Sequence, residues 1–239
     1  MSATAMAGPI TRAATPRFRA NIAGILYLAN MLAFVPAAYV HSRFVVAAGT
    51  APAASNTLVF EPLYRLGFTF DLIAVASGIA VTAFFFELFK PVSGRLSLFA
   101  AYVNLMGCAI TAASCLLHFV PLAILRATDY FPIFATKLDP VALLFLRMRV
   151  QTANTGIVFA GLYCLLIGFL IFRSSFLPKS LGVMMAIAGL GWLTYLSPAL
   201  ANRLAPFNSL VSGLVGEGSL MLWLTITGTK PPRRRKDRP

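Results

Sequence analysis

Residues 65–90 read RLGFTFDLIAVASGIAVTAFFFELFK. Between Arg65 and Glu87 the only ionisable side chain is Asp71, and the fifteen residues from Leu72 to Phe86 carry no charge. A bilayer core about 30 Å thick calls for roughly 20 mostly apolar helical residues. A backbone in lipid must satisfy its own hydrogen bonds, and the alternating pattern of a membrane barrel is absent, so the segment reads as a spanning helix.

The same ruler finds six spans, at 20–40, 64–89, 96–125, 150–172, 179–199 and 207–228. The expected fold is all-α, a polytopic transmembrane bundle of about six helices. It comprises a basic N-terminal tail (1–19), a six-helix membrane domain (20–229) and a disordered polybasic tail (230–239). Composition agrees: 59% of residues are hydrophobic, 11% are charged and mean hydropathy is +0.80. A soluble domain is roughly a quarter charged, so these residues would not cover a soluble surface. Arg17, Arg19, the first apolar run and Pro36-Ala37-Ala38 also fit a signal peptide. A signal's apolar region is usually about 7–15 residues; this one is longer and holds Tyr27 and Asn30, so it is expected to remain as a helix.

Orientation follows Lys and Arg, which concentrate on the cytoplasmic side. With both termini cytoplasmic, inner segments hold 13 of the 20 basic residues and outer segments 7. The expected location is the cytoplasmic membrane of a bacterium. Six basic residues lie in the tail Lys230–Arg238. The tail is read as a topology anchor that meets anionic lipid, not nucleic acid.

Ionisable groups inside spans are costly and default to functional candidates. Asp71 has no basic residue three or four positions away, and Arg65 lies on another face, so a neutralising cation must come from another helix unless the carboxyl stays protonated. Glu217 sits between glycines in Gly213-Leu-Val-Gly216-Glu217-Gly218, which favours close packing inside the bundle. Asn104, Cys108, Thr111, Cys115 and His118 share one helical face with Gly107 beside them, a pattern that suits a packing seam or a wet cavity. Pro121 removes the bond normally made to the carbonyl of Leu117. A helix starting at Asp139-Pro140 and running to Phe172 would bring Arg147, Gln151 and Asn154 onto one face and point Arg149 elsewhere. Arg147 then either snorkels to lipid phosphates or turns inward to Asp71.

Two His and three Cys leave no Cys/His zinc cluster, and no HExxH, phosphate-binding glycine loop or nucleophile elbow occurs. His41, His118, Asp71 and Glu217 are ligand types without a supporting spacing, and His41 is expected at the membrane surface. Neither a metal nor a cofactor is expected, and an enzyme is disfavoured.

Several phrases carry a family resemblance. They are Arg65-Leu-Gly-Phe with Asp71-Leu72, Leu88-Phe89-Lys90-Pro91-Val92, and Gln151-Thr152 through Gly161-Leu162-Tyr163-Cys164-Leu165-Leu166. Phe172-Arg173-Ser174-Ser175-Phe176-Leu177-Pro178-Lys179 runs into Leu181-Gly182, and Glu217 precedes Leu222-Trp223-Leu224. In these the chain resembles the bacterial membrane-protein family called domain of unknown function 4386 over residues 20–228. The resemblance implies a multi-helix membrane protein, supplies no activity, and draws attention to Arg65, Asp71, Gln151 and Glu217.

The leading expectation is a membrane protein that binds a small molecule or lipid, as a transporter or sensor, in an outward-facing polar pocket between helices. Asp71, Glu217, His118, Arg65, Arg147, Gln151 and Asn154 are its candidate contacts. Asn104, Gly107, Thr111, Gly213 and Gly216 are read as helix-packing positions. A second expectation is a partner subunit or homo-oligomer docked through the Gly182-x3-Ala186-x2-Gly189 face. A third is an intramembrane acid–base or metal-dependent enzyme acting on a lipid-like substrate.

Overall fold

The computed structural model describes residues 16–47, 60–130 and 135–228. The first fifteen residues and the polybasic tail lie outside them. The elements are α1 (Pro16–Ala47), α2 (Glu61–Phe89), α3 (Gly94–Leu116), α4 (Phe119–Tyr130), α5 (Ala135–Arg173) and α6 (Lys179–Leu193). A 3-10 turn (Thr194–Leu196), α7 (Pro198–Asn208), a π-helical segment (Ser209–Glu217) and α8 (Gly218–Ile226) follow among the described residues. Among the described residues there is no strand.

Among the described residues five segments are long and apolar enough to cross a membrane: Asn21–His41, Glu61–Phe89, Gly94–Ile124, Pro140–Arg173 and Lys179–Leu196. The sixth expected span is present as the shorter apolar helix Leu210–Ile226. The chain is therefore an all-α multi-pass membrane protein. Large apolar side chains such as Leu72, Ile79, Phe169 and Leu190 face outward, as a lipid-facing surface requires.

Three spans depart from the continuous helices expected; the run 179–199 leaves the α-helix after Leu193, passes through the 3-10 turn and re-enters helix at Pro198. The run 96–125 breaks at Leu117 and His118, where Pro121 leaves the Leu117 carbonyl without its helical donor. The run 207–228 begins as nine π-helical residues, a form that is rare beyond a single turn. The expected long fourth helix is α5, 39 residues from Ala135, with Pro140 inside its second turn.

Each helix packs on the next, in the order α1, α2, α3, α5, α6, π segment, and α8 returns to α1, so the bundle closes on itself. Its centre is filled by Tyr27, Phe85, Tyr163, Ile167, Met185 and Leu220. Glycines set the tightest seam. A Cβ on Gly168 would lie 2.9 Å from the Gly182 carbonyl oxygen, and one on Gly182 would lie 2.9 Å from the Gly168 carbonyl oxygen. Gly161 and Gly189 repeat this at 3.0 and 2.7 Å. The glycine face of α6 that favoured a partner subunit is thus covered by α5 of the same chain.

The turns 90–93 and 174–178 lie at one end of the bundle, with Phe89 and Phe176 rings 5.8 Å apart. There the Ser97 hydroxyl donates to the Phe86 carbonyl and the Ser174 hydroxyl to that of Ile171. Lys90, Arg95, Arg173 and Lys179 gather at this end.

Candidate functional site

At the opposite end, α1, α2 and α5 meet in a knot of charged and polar side chains beside the α3–α4 break. Asp71 lies three turns into α2 and its side chain is 14% exposed. Arg149 on α5 donates from Nη2 to Asp71 Oδ2 at 2.7 Å. His41 Nε2 on α1 lies 2.8 Å from the same oxygen and 2.7 Å from the same guanidinium nitrogen. Arg149 is 5% exposed, so this ion pair is withdrawn from the surface and not a snorkelling contact.

His118 occupies the break itself and is fully buried. The Tyr64 hydroxyl donates to the His118 carbonyl at 2.7 Å, and His118 Nε2 donates back to the Tyr64 carbonyl at 2.8 Å. The two rings stack with centroids 3.9 Å apart, while His41, Phe68 and Phe119 each place a ring 5.6 Å from the imidazole. A carbonyl only accepts, so Nε2 carries the proton and Nδ1 keeps its lone pair. Among the described residues that Nδ1 is buried without a hydrogen-bond partner, and so is the Nε–H of Arg149.

The expected cation for Asp71 does come from another helix, but it is Arg149 and not Arg147. The inward face of α5 runs through Ala142, Leu146, Arg149, Gly156, Tyr163, Ile167 and Leu170, all buried at helical spacing. Arg147 and Gln151 are exposed and Asn154 half-buried; the polar stripe they form lies on another side of α5. Arg65 is also exposed, pairing with Glu61 at 2.7 Å beside Arg126, which holds Glu61 at 2.7 Å. His41 ends the apolar span Asn21–His41, in keeping with its expected place near the membrane surface, and a Cβ on Gly67 of α2 would lie 3.0 Å from its ring. The packing of α1 on α2 brings His41 level with Asp71.

A profile of the family described as Domain of unknown function (DUF4386) matches residues 22–228. The chain belongs to this family. A protein of Archaeoglobus fulgidus, described as an uncharacterized protein, is 25% identical over 168 residues, which cover 70% of this chain and 86% of that protein. No solved structure matches the chain.

The DUF4386 match takes in the knot and also a second polar cluster, around Glu217. Glu217 ends the π-helical segment and accepts three donors from three helices. The Tyr27 hydroxyl reaches Oε2 at 2.6 Å; Trp192 Nε1 and Cys164 Sγ reach Oε1 at 2.5 and 3.7 Å. Among the described residues no cation forms a salt bridge with it. Gly216 allows this approach: a Cβ there would lie 2.9 Å from the Met184 carbonyl of α6, whereas Gly213 makes only ordinary contact with Trp192 at 3.7 Å. Replacing Glu217 with leucine strands the Tyr27 and Trp192 donors, at about 1–3 kcal/mol for each. Glu217→Gln keeps an acceptor oxygen and is expected to lose far less. Thermal unfolding in detergent measures the difference, and equal losses would remove this account of the carboxylate.

The Asn104, Gly107 and Thr111 part of the α3 stripe packs against α2 and α5. Asn104 Nδ2 donates to Thr82 Oγ1 at 2.6 Å, and Thr111 donates to the Gly107 carbonyl at 2.9 Å. A Cβ on Gly107 would lie 3.1 Å from the Gly156 carbonyl of α5, so α3 and α5 meet backbone to backbone at this level.

Proposed function

We propose that this DUF4386 chain binds a small polar molecule or a lipid headgroup at the knot formed by Asp71, Arg149, His41 and His118, serving transport or sensing. The observation that carries the reading is a pair of groups with no hydrogen-bond partner among the described residues: a buried acceptor, His118 Nδ1, and a buried donor, Arg149 Nε, both at this knot. Buried polar atoms in proteins nearly always have a partner, which a ligand would supply here. Membrane-embedded sites of this kind have apolar walls and a few convergent polar groups, and Phe68, Phe119 and Tyr64 form such walls.

In this reading the chain sits in a bacterial cytoplasmic membrane with both termini inside. The basic residues Lys90, Arg95, Arg173 and Lys179 gather at the end opposite the knot, which by the positive-inside rule faces the cytoplasm. The knot then opens outward, and the polybasic tail lies against anionic lipid. The partner-subunit reading loses its main support because α5 covers the α6 glycines.

Native mass spectrometry from mild detergent tests the proposal. Wild type is expected to carry one discrete extra mass that Asp71→Asn loses and Glu217→Gln keeps. A bare wild type, or a mass that folded Asp71→Asn retains, overturns it.

A further inference from the structure

We infer that His41, Asp71 and His118 form a binding site for one divalent first-row transition-metal ion, with Arg149 beside its open coordination position. The inference deepens the reading of the knot as a ligand site and rests on it. One ligand-type atom from each of the three residues lies within 4.8 Å of the others. Donors on a common ion, with bonds of about 2.1 Å, sit about 3–4 Å apart. Shifts of a few tenths of an ångström to about an ångström close the set.

Three further observations point the same way. The first is the state of His118. Its Nε2–H is anchored on the Tyr64 carbonyl, and its Nδ1 lone pair is buried with no hydrogen-bond partner among the described residues. Metal-ligating histidines are held in this manner, with the second ring nitrogen donating to a carbonyl or carboxylate that fixes the tautomer.

The second is the triangle of His41 Nε2, Asp71 Oδ2 and Arg149 Nη2, whose edges are 2.8, 2.7 and 2.7 Å. Hydrogen bonds fill two edges and never all three. If His41 Nε2 carries a proton, it faces the guanidinium hydrogens; if it does not, its lone pair faces the carboxylate oxygen. A cation between the ring nitrogen and the carboxylate removes that conflict, with Arg149 remaining on Asp71.

The third is the donor set. Two imidazoles and one carboxylate suit Zn²⁺, Fe²⁺, Mn²⁺ or Co²⁺ more than Mg²⁺ or Ca²⁺, which prefer an all-oxygen shell. Three protein ligands leave a position open for an exogenous group. A divalent ion and a guanidinium against one carboxylate leave two positive charges over, so the fourth ligand is anionic: hydroxide, a carboxylate or a phosphate-type group. The unpartnered Nε–H of Arg149 is a ready donor to it.

The test uses full-length protein in mild detergent, stripped with chelator and titrated with Co²⁺. One equivalent per chain is expected to survive gel filtration by elemental analysis, with visible d–d absorption. His41→Ala and Asp71→Asn are each expected to weaken retention by at least about tenfold, while Glu87→Gln binds as wild type. Should Asp71→Asn fail to fold because Arg149 loses its partner, His41→Ala carries the comparison. Folded wild type that retains no stoichiometric Co²⁺ or Zn²⁺, or a folded His41→Ala that retains it fully, overturns the inference. Native mass spectra of the same samples separate the two proposals. An organic mass on metal-free protein sinks the metal alone, and bare protein after metal loading sinks both.

Discussion

Arg149→Met is expected to destabilise the protein strongly, and Asp71→Asn added to it is expected to restore most of the loss. Removing one partner of a buried ion pair costs about 3–5 kcal/mol, because the remaining charge stays buried without compensation. Here the loss falls toward the lower figure, since His41 still contacts Asp71 Oδ2 and the Asp71 side chain keeps 14% exposure. In the double variant neither charge remains, and replacing a buried pair by neutral groups is often close to neutral. Unfolding midpoints of the two single variants and the double variant in one detergent give the coupling energy directly. Additive losses would show that Arg149 and Asp71 do not depend on each other, and the electrostatic account of the knot would fall.

The second large effect concerns the α5–α6 seam. Gly182→Leu places a Cβ 2.9 Å from the Gly168 carbonyl oxygen and about as close to the Phe172 ring, at 3.1 Å. Backbone cannot swing aside as a flexible side chain does, so the helices must separate. Overpacking by a single methyl typically costs about 1–3 kcal/mol; the full leucine side chain is expected to exceed that and to abolish a stable monodisperse fold. Gly189→Ala, at 2.7 Å from the Gly161 carbonyl, should fall within the single-methyl range. Gly94, at the start of α3, has nothing within 4 Å of its added Cβ, so Gly94→Ala is the control and should change little. Gel filtration and thermal unfolding read all three. A stable Gly182→Leu would mean that this seam does not hold the bundle together.

Most of the architecture was legible because a bilayer imposes length and polarity together. The run from Leu72 to Phe86 announces α2, and the Arg173–Lys179 turn announces the α5–α6 hairpin. The π-helical segment was not legible, since its residues remain apolar or small and only the backbone bonding changes. Within the knot, Asp71 and His118 stood out as polar residues in apolar spans. Arg149 is hard to read from the sequence because Arg147, Gln151 and Asn154 form a clean polar stripe on another face of the same helix. In a membrane bundle the inward face is marked better by small residues that let backbones approach. Gly156 and Gly168 place Arg149, one heptad before Gly156, on that face. His41 stands at the end of the first apolar stretch, and only the packing of α1 on α2 shows that it meets Asp71.

The return of α8 to α1 has a consequence for how the chain is made. During synthesis the first helix enters the membrane with no neighbour on the side that α8 will cover, where Gly24 lies against Thr225. Tyr27 and Glu217, 190 residues apart, meet only when the last segment arrives. Until then one apolar helix carries an unanswered hydroxyl and the last one brings an unanswered carboxylate. A chain truncated before Glu217 therefore leaves the Tyr27 hydroxyl and the Trp192 indole N–H without the acceptor that Glu217 supplies.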